Sequence, residues 1–164
     1  MKKKIAWLPA ILLMIMIFYF SNQPAEVSAD LSGGISYQVV EFAVSIIDKD
    51  YNNKEMLSLA EKIDYPIRKL AHLTEYALLG MAITFGTLYG SDIDKCNRKK
   101  QYFFVQTMGS LYAMTDEFHQ LFVPGRAGRM SDVLIDSIGV WFGFCIFTVI
   151  FVIGEKWIQS FMNF

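Results

Sequence analysis

The sequence predicts an all-α integral membrane protein: a four-helix bundle with two short amphipathic helices in the extracytoplasmic segment between the first and second spans. Three observations predict it. The 164-residue chain is 54 % hydrophobic with a mean hydropathy of +0.33, above the apolar share of about 45–50 % usual for soluble globules. Four apolar runs approach the roughly 20 residues of helix that cross a ~30 Å hydrocarbon core. Lys and Arg are concentrated in the short connections on one side of those runs, as in cytoplasmic loops. The length suits one domain over 1–164,.

The run "IAWLPAILLMIMIFYF" follows Lys2, Lys3 and Lys4 and gives a first span over about 5–21. A second reading makes residues 1–29 a signal peptide ending in "VSA",. The length of the run, with Trp7 and Pro9 near its start, favours a retained span. "LAHLTEYALLGMAITFGTLY" gives a second span over about 67–90. "YFFVQTMGSLYAM" gives a third, over about 101–122, but only if its helix continues through "TDEFHQLFV". "VLIDSIGVWFGFCIFTVIFVIG" gives a fourth, over about 131–154.

An even number of spans puts Lys2–Lys4, the loop "SDIDKCNRKK" and Lys156 on one side, the cytoplasm, together with both termini,. Segment 21–65, with eight acids and three lysines, and the turn "PGRAGR" then face outward. Within 31–64, Ile35, Val39, Phe42 and Ile46 follow helical spacing, as do Met56, Leu59 and Ile63,. Asn52 with Glu55 three residues on reads as a capping box, and Pro66 suits the first turn of the second span,. The two helices so predicted either dip into the lipid headgroups or cover the ends of the spans.

Several classes are excluded. A net charge of −1, with no zinc-finger spacing, RNA-binding signature or basic helix, leaves no nucleic-acid partner,. Cys96 in a polar loop and Cys145 in an apolar run do not make a disulfide framework,.

Charge gathers where it is least expected. The stretch "TDEFHQLFVPGRAGRMSDVLID" holds Asp116, Glu117, His119, Arg126, Arg129, Asp132 and Asp136 between two apolar segments. Arg68, His72 and Glu75 share one face of the second span, and Asp116, His119 and Gln120 one face of the third,. Asp132, Asp136, Gly139 and Gly143 form a stripe on the fourth, ending in a G-x-x-x-G that permits close helix approach,. All three spans, with Lys69, bring polar groups to one depth. Ionisable residues inside a membrane normally face a bundle interior and pair with one another.

Two readings of this cluster stand side by side. In one, Arg126 and Arg129 clamp Asp116, Glu117 and Asp132 and pin the third and fourth spans together. In the other, His72, Glu75, Asp116, Glu117 and His119 form a reactive pocket, with Lys69, Gln120, Arg126, Arg129, Asp132 and Asp136 holding a ligand. Imidazole beside carboxylate suits proton transfer, and guanidinium suits phosphate or carboxylate. A divalent metal on His72-x-x-Glu75 and Asp116-x-x-His119 is an alternative, against which the nearby arginines compete; no cofactor is required. Ser131 and Thr115 show no triad spacing, and the "PSGH" core of lipid phosphatases, G-x-S-x-G and H-E-x-x-H are all absent,.

At "FSNQPAEVSADLSGGI", "RKLAHLTEYALLG" and above all "LYAMTDEFHQLFVPGRAGRMSDVLIDSIGVWFG" the chain resembles the VanZ-like family of bacterial membrane proteins. The resemblance covers most of the chain. The family's characteristic polar positions correspond to Lys69, His72, Glu75, Asp116, Glu117, His119, Gln120, Arg126, Asp132 and Asp136. It implies a cell-membrane protein of the envelope linked to low-level teicoplanin-type glycopeptide resistance, and no enzyme class. The first functional expectation is a pocket for a lipid-linked cell-wall precursor or a lipoglycopeptide, in contact with membrane lipids. The second is an integral-membrane enzyme acting on such a lipid by acid–base or metal-assisted chemistry. A transporter is a weaker third, since four spans without inverted repeats would have to work as a homodimer.

Overall fold

The computed structural model describes residues 2–47, 51–91 and 97–162. Lys95 and Cys96 of the basic loop, and Asp48 and Asp50, lie outside the described residues. The fold is helical: α1 (Lys2–Ile5), α2 (Leu8–Ser21), α3 (Ala25–Ile47), α4 (Asn53–Gly90), α5 (Arg98–Gln120) and α6 (Met130–Met162), with no strand among the described residues. Two helical segments are long and apolar enough to cross a bilayer, Lys3–Ser21 and Met130–Trp157.

The segment expected to hold two short surface helices is organised differently. Its first part is α3, a single helix of 23 residues. Its second part is the opening of α4, a continuous helix of 38 residues with Pro66 in its interior. The reason lies in the cap. Asn52 Oδ1 accepts from the Glu55 N–H at 3.0 Å and Glu55 Oε2 accepts from the Asn52 N–H at 3.0 Å. That reciprocal box starts the helix well before the apolar run, and Pro66 forgoes one backbone hydrogen bond without ending it. At ~1.5 Å per residue α4 is about 57 Å long, so its first turns extend past any ~30 Å apolar layer.

Helix α3 packs along those first turns through small residues. Ser32, Ser36 and Val40 are buried on its side and Ala60 on the α4 side. Ser36 Oγ bonds the Ser32 carbonyl at 2.8 Å and lies 3.4 Å from Asp64 Oδ1. The opposite stripe, Leu31, Ile35, Val39, Phe42 and Ile46, is exposed.

The centre of the molecule is the α4–α6 crossing, and glycine makes it possible. A Cβ added at Gly139 would stand 2.5 Å from the Leu73 carbonyl oxygen, and one at Gly80 would strike the backbone of Val140. At Gly143 it would collide with the Ala77 carbonyl. The G-x-x-x-G stripe is therefore the contact surface through which α6 reaches α4. On α5, Gly109 admits the Val140 side chain, and Gln106 Nε2 bonds the Ser137 carbonyl at 3.0 Å. On the other side of α4, the Trp7 indole lies against Gly86 and Gly90. Tyr112 donates to the Met14 carbonyl at 2.5 Å and ties α5 to α2.

The distribution of polarity is inverted relative to a soluble globule. Leu12, Ile15 and Tyr19 on α2, and Leu134, Ile146, Ile150 and Ile153 on α6, are exposed, whereas Gln101, Thr84, Thr87, Asp116, Glu117 and Asp136 are buried. An apolar exterior of this extent marks a surface made for lipid or for other protein.

Overpacking the α4–α6 crossing meets backbone, which cannot step aside. Gly143→Leu should destabilise the protein by about 3 kcal/mol or more. Gly154→Leu, with nothing within 4 Å of the added atom, should be neutral. Detergent-solubilised yield and thermal melts check this, and equal tolerance of both changes would refute the crossing.

Candidate functional site

A cavity of about 540 Å³ opens where the end of α2, the first turns of α3, the middle of α4, the end of α5 and the 121–129 loop meet. One part of its wall is apolar, with Ile17, Phe20, Leu31, Ile35 and Ile67. The rest carries Arg68, Lys69, His72, Glu75, Asp116, Gln120, Arg126, Arg129 and Asp132.

The loop that closes this end is placed by two backbone features. Gly125 has φ +73°, a left-handed conformation that favours glycine,. The Ala25 N–H bonds the Pro124 carbonyl at 3.1 Å, docking the loop on the start of α3. Arg126 then reaches the end of α2, where its Nε donates to the Gln23 carbonyl at 3.2 Å and its Nη2 to the Phe20 carbonyl at 3.3 Å. Burial pulls the Arg126 pKa below its ordinary value, opposed by the attraction of Asp116 and Glu117. The guanidinium stays charged, since no protein environment deprotonates arginine.

Next along the loop, Gly128 lies so close to the Glu117 carbonyl that a side chain there would overlap it. This approach lets the Arg129 backbone N–H donate to Glu117 Oε2 at 2.9 Å. Arg129 thus holds the acid with its main chain, while its side chain is exposed. In the clamp reading of the sequence these arginines pair with carboxylates through their guanidinium groups, and among the described residues neither makes such an ion pair. Asp132 is instead paired with Lys69, Nζ to Oδ1 at 2.5 Å, joining α4 to α6.

A buried layer forms the inner part of the wall, through Asp116 and Gln120, and continues behind it to Glu117 and Asp136. Asp116, Glu117 and Gln120 on α5 and Asp136 on α6 are each less than 5 % exposed. Gln120 Nε2 donates to Asp116 Oδ2 at 3.4 Å. His72 Nδ1 lies 3.6 Å from Asp136 Oδ1, an ion-pair distance beyond hydrogen-bond reach. Glu75 lines the cavity with His72, Asp116, Asp136 and Arg126 as its charged neighbours.

His119 is placed elsewhere. Its Nε2 is 3.2 Å from Asn22 Oδ1 and its ring stacks on Phe18 at 4.6 Å. It is not among the residues lining the cavity. The helical wheel explains the split. At ~100° per residue, Gln120 is offset from Asp116 by about 40° in one direction and His119 by about 60° in the other. Asp116, Glu117 and Gln120 therefore turn inward while His119 turns to α2. Of the two His/carboxylate pairs read as metal ligands from the sequence, His72, Glu75 and Asp116 therefore share the cavity and His119 does not.

Four residues of the site escaped the sequence. Ser28 and Ser32 bring α3 into the wall, and Ser21 and Tyr76 bury their hydroxyls beside Asp116. Tyr76 was within reach of pattern reasoning, since it follows His72 by one helical turn,. Ser28 and Ser32 reach the cavity because α3 packs along α4, which no residue spacing encodes.

Residues 6–152 match the sequence model of the VanZ/LLP1 family. No curated protein and no solved structure matches the chain significantly.

The two arginines should separate by mutation. Arg126→Ala removes two charge-assisted bonds from a half-buried site and should cost about 1–2 kcal/mol of stability. Arg129→Ala keeps the backbone donor and should change stability by less than about 0.5 kcal/mol. Chemical or thermal unfolding of both variants in detergent tests this, and equal losses would contradict the assignment.

Proposed function

Because the chain belongs to the VanZ/LLP1 family and has two helices able to cross a bilayer, we propose that it is a multi-pass cell-envelope protein. In this reading α2, α4, α5 and α6 span the membrane, both termini are cytoplasmic, and the cavity opens at the outer leaflet. The cavity binds an amphipathic anion anchored in the lipid, a class that includes lipid-linked cell-wall precursors. Holding such a molecule would let the protein contribute to low-level teicoplanin-type glycopeptide resistance.

The observation that carries the reading is the two-faced wall. Apolar side chains from α2 and α3 adjoin four basic residues, Arg68, Lys69, Arg126 and Arg129. A polyprenyl or acyl chain suits the first surface and a phosphate suits the positive charge of the second, where Arg68, Lys69 and Arg126 also hold protein partners and the Arg129 side chain is exposed. The exposed apolar stripe of α3 supports a helix lying against lipid beside the cavity mouth. Orientation rests on Lys2–Lys4, Arg98–Lys100 and Lys156, which fall at one end of the spans,.

A second reading, an enzyme on the same lipid, is favoured by the composition of the inner layer. His72, Glu75 and Asp116 line the cavity with buried Asp136 behind them, an arrangement able to give and take protons.

Purified protein in nanodiscs should bind a polyprenyl phosphate at least about tenfold more tightly than the neutral polyprenol. Arg126→Glu should abolish that preference. Equal affinity for the two lipids would sink the reading, and a preference for a lipoglycopeptide over both would move the ligand to that class. Mass spectrometry of the recovered lipid separates the two activities: unchanged lipid means a binding protein, converted lipid an enzyme.

Topology is checked separately. Cysteine at Ala127, an exposed loop position, should react in intact cells with a membrane-impermeant maleimide, whereas Cys96 should react only after permeabilisation. The opposite pattern would invert the orientation.

A further inference from the structure

We propose that His72, Glu117 and Asp136 form a binding site for one divalent first-row metal ion of the zinc class. Each residue comes from a different helix, α4, α5 and α6, and each presents a ligand atom such that all lie within 4.8 Å of one another. A zinc-type ion binds such nitrogens and oxygens at about 2.0–2.2 Å, which sets tetrahedral ligands roughly 3.4 Å apart. Metal binding would draw the set in from that 4.8 Å limit to the tetrahedral spacing,.

A separate observation points the same way. Among the described residues, His72 Nδ1, Glu117 Oε1 and both carboxylate oxygens of Asp136 are buried with no hydrogen-bond partner, His72 and Asp136 meeting only at the 3.6 Å ion-pair distance. Asp136 is 0 % exposed and Glu117 4 %. Buried polar atoms are nearly always partnered, and buried carboxylates without a partner are costly. Here the usual partners are engaged elsewhere. Lys69 is on Asp132, Arg68 is on Asp64, and Arg126 is on two main-chain carbonyls. A divalent cation would neutralise the two carboxylates and satisfy their free oxygens together.

The outer contacts are those of an oriented ligand. Glu117 is held through Oε2 by the Arg129 N–H, which leaves Oε1 free. Fixing one oxygen so that the other can ligate is a common second function of main-chain donors around metals. Asp116, whose Oδ2 is held by Gln120 and whose Oδ1 is free, is a further carboxylate of the same layer. One imidazole with carboxylates and no thiolate selects zinc, manganese or iron over copper(I). It also disfavours magnesium and calcium, which take oxygen alone. Through His72 the site borders the cavity. The inference stands apart from the lipid ligand, and either can fail alone.

The test uses the full chain in detergent, stripped with chelator and re-equilibrated with Zn²⁺. Elemental analysis should find one zinc per chain, and calorimetry should show Glu117→Gln and Asp136→Asn weakening binding at least about tenfold. Glu61→Gln, exposed and remote from the set, should bind like the wild type. Loss of a buried carboxylate can itself unfold the bundle, so a second measurement uses the wild-type protein loaded with Co²⁺. Its visible spectrum should show low-symmetry ligation, and His72→Cys should add a thiolate charge-transfer band in the near ultraviolet. The proposal is overturned by lack of stoichiometric zinc in the wild type, by unchanged affinity in both carboxylate variants, or by a Co²⁺ spectrum like that of the free ion and insensitive to His72→Cys.

Discussion

Carboxylates buried among apolar helices are the constraint on which the rest of this structure turns. Asp116, Glu117 and Asp136 are each less than 5 % exposed, where an unpaired charge is strongly unfavourable. The helices answer by approaching closely. Gly139 and Gly143 let α6 touch the backbone of α4 at Leu73 and Ala77, and that contact sets Asp136 opposite His72 one turn away. Gly128 does the same for the 121–129 loop, bringing the Arg129 N–H to Glu117. Small residues and acidic residues are therefore one design: the first allow the approach, and the second are what the approach encloses.

The same constraint explains the division of labour among the basic residues. Arg126 gives two donors to carbonyls where α2 ends, that of Gln23 just beyond the helix and that of Phe20, which also accepts from the Gln23 N–H. Lys69 binds Asp132 between α4 and α6. Each thus joins two elements around the cavity mouth, and the deeper acids are left to one imidazole, one amide and one main-chain N–H, His72 by Asp136, Gln120 on Asp116 and Arg129 on Glu117. A pocket and a structural clamp are not alternatives in this geometry, because the mouth holds the helices together and the floor holds the unpartnered groups.

Much of this was legible in the sequence. All four apolar runs are helical, and α5 continues through Asp116, Glu117 and His119 as the third run required. The glycine stripe of α6 faces its partner as its spacing implied. The convergence of Lys69, His72, Glu75, Asp116, Gln120, Arg126, Arg129 and Asp132 on one cavity was also within reach, because helical period and chain direction fix both face and depth. What escaped has identifiable causes. Pro66 reads as a helix start, yet the Asn52–Glu55 box outweighs it and fuses the surface segment to α4. His119 lies within about 60° of Asp116 on the wheel, too near for sequence to tell the cavity face from the α2 face. That glutamate would be held by the backbone of Arg129 and not its side chain follows from a loop geometry no residue pattern encodes.

The central claim is that the cavity between the end of α2, α3 and α4 receives a lipid-anchored anion. A polyprenyl phosphate carrying a photoreactive group near its head, cross-linked in nanodiscs and mapped by mass spectrometry, tests it most directly. The account predicts adducts on peptides carrying Leu31, Ile35, Ile67 or Arg126, competed by unlabelled polyprenyl phosphate. Adducts confined to the exposed apolar face of α6, at Ile146, Ile150 or Ile153, and indifferent to competitor, would contradict it.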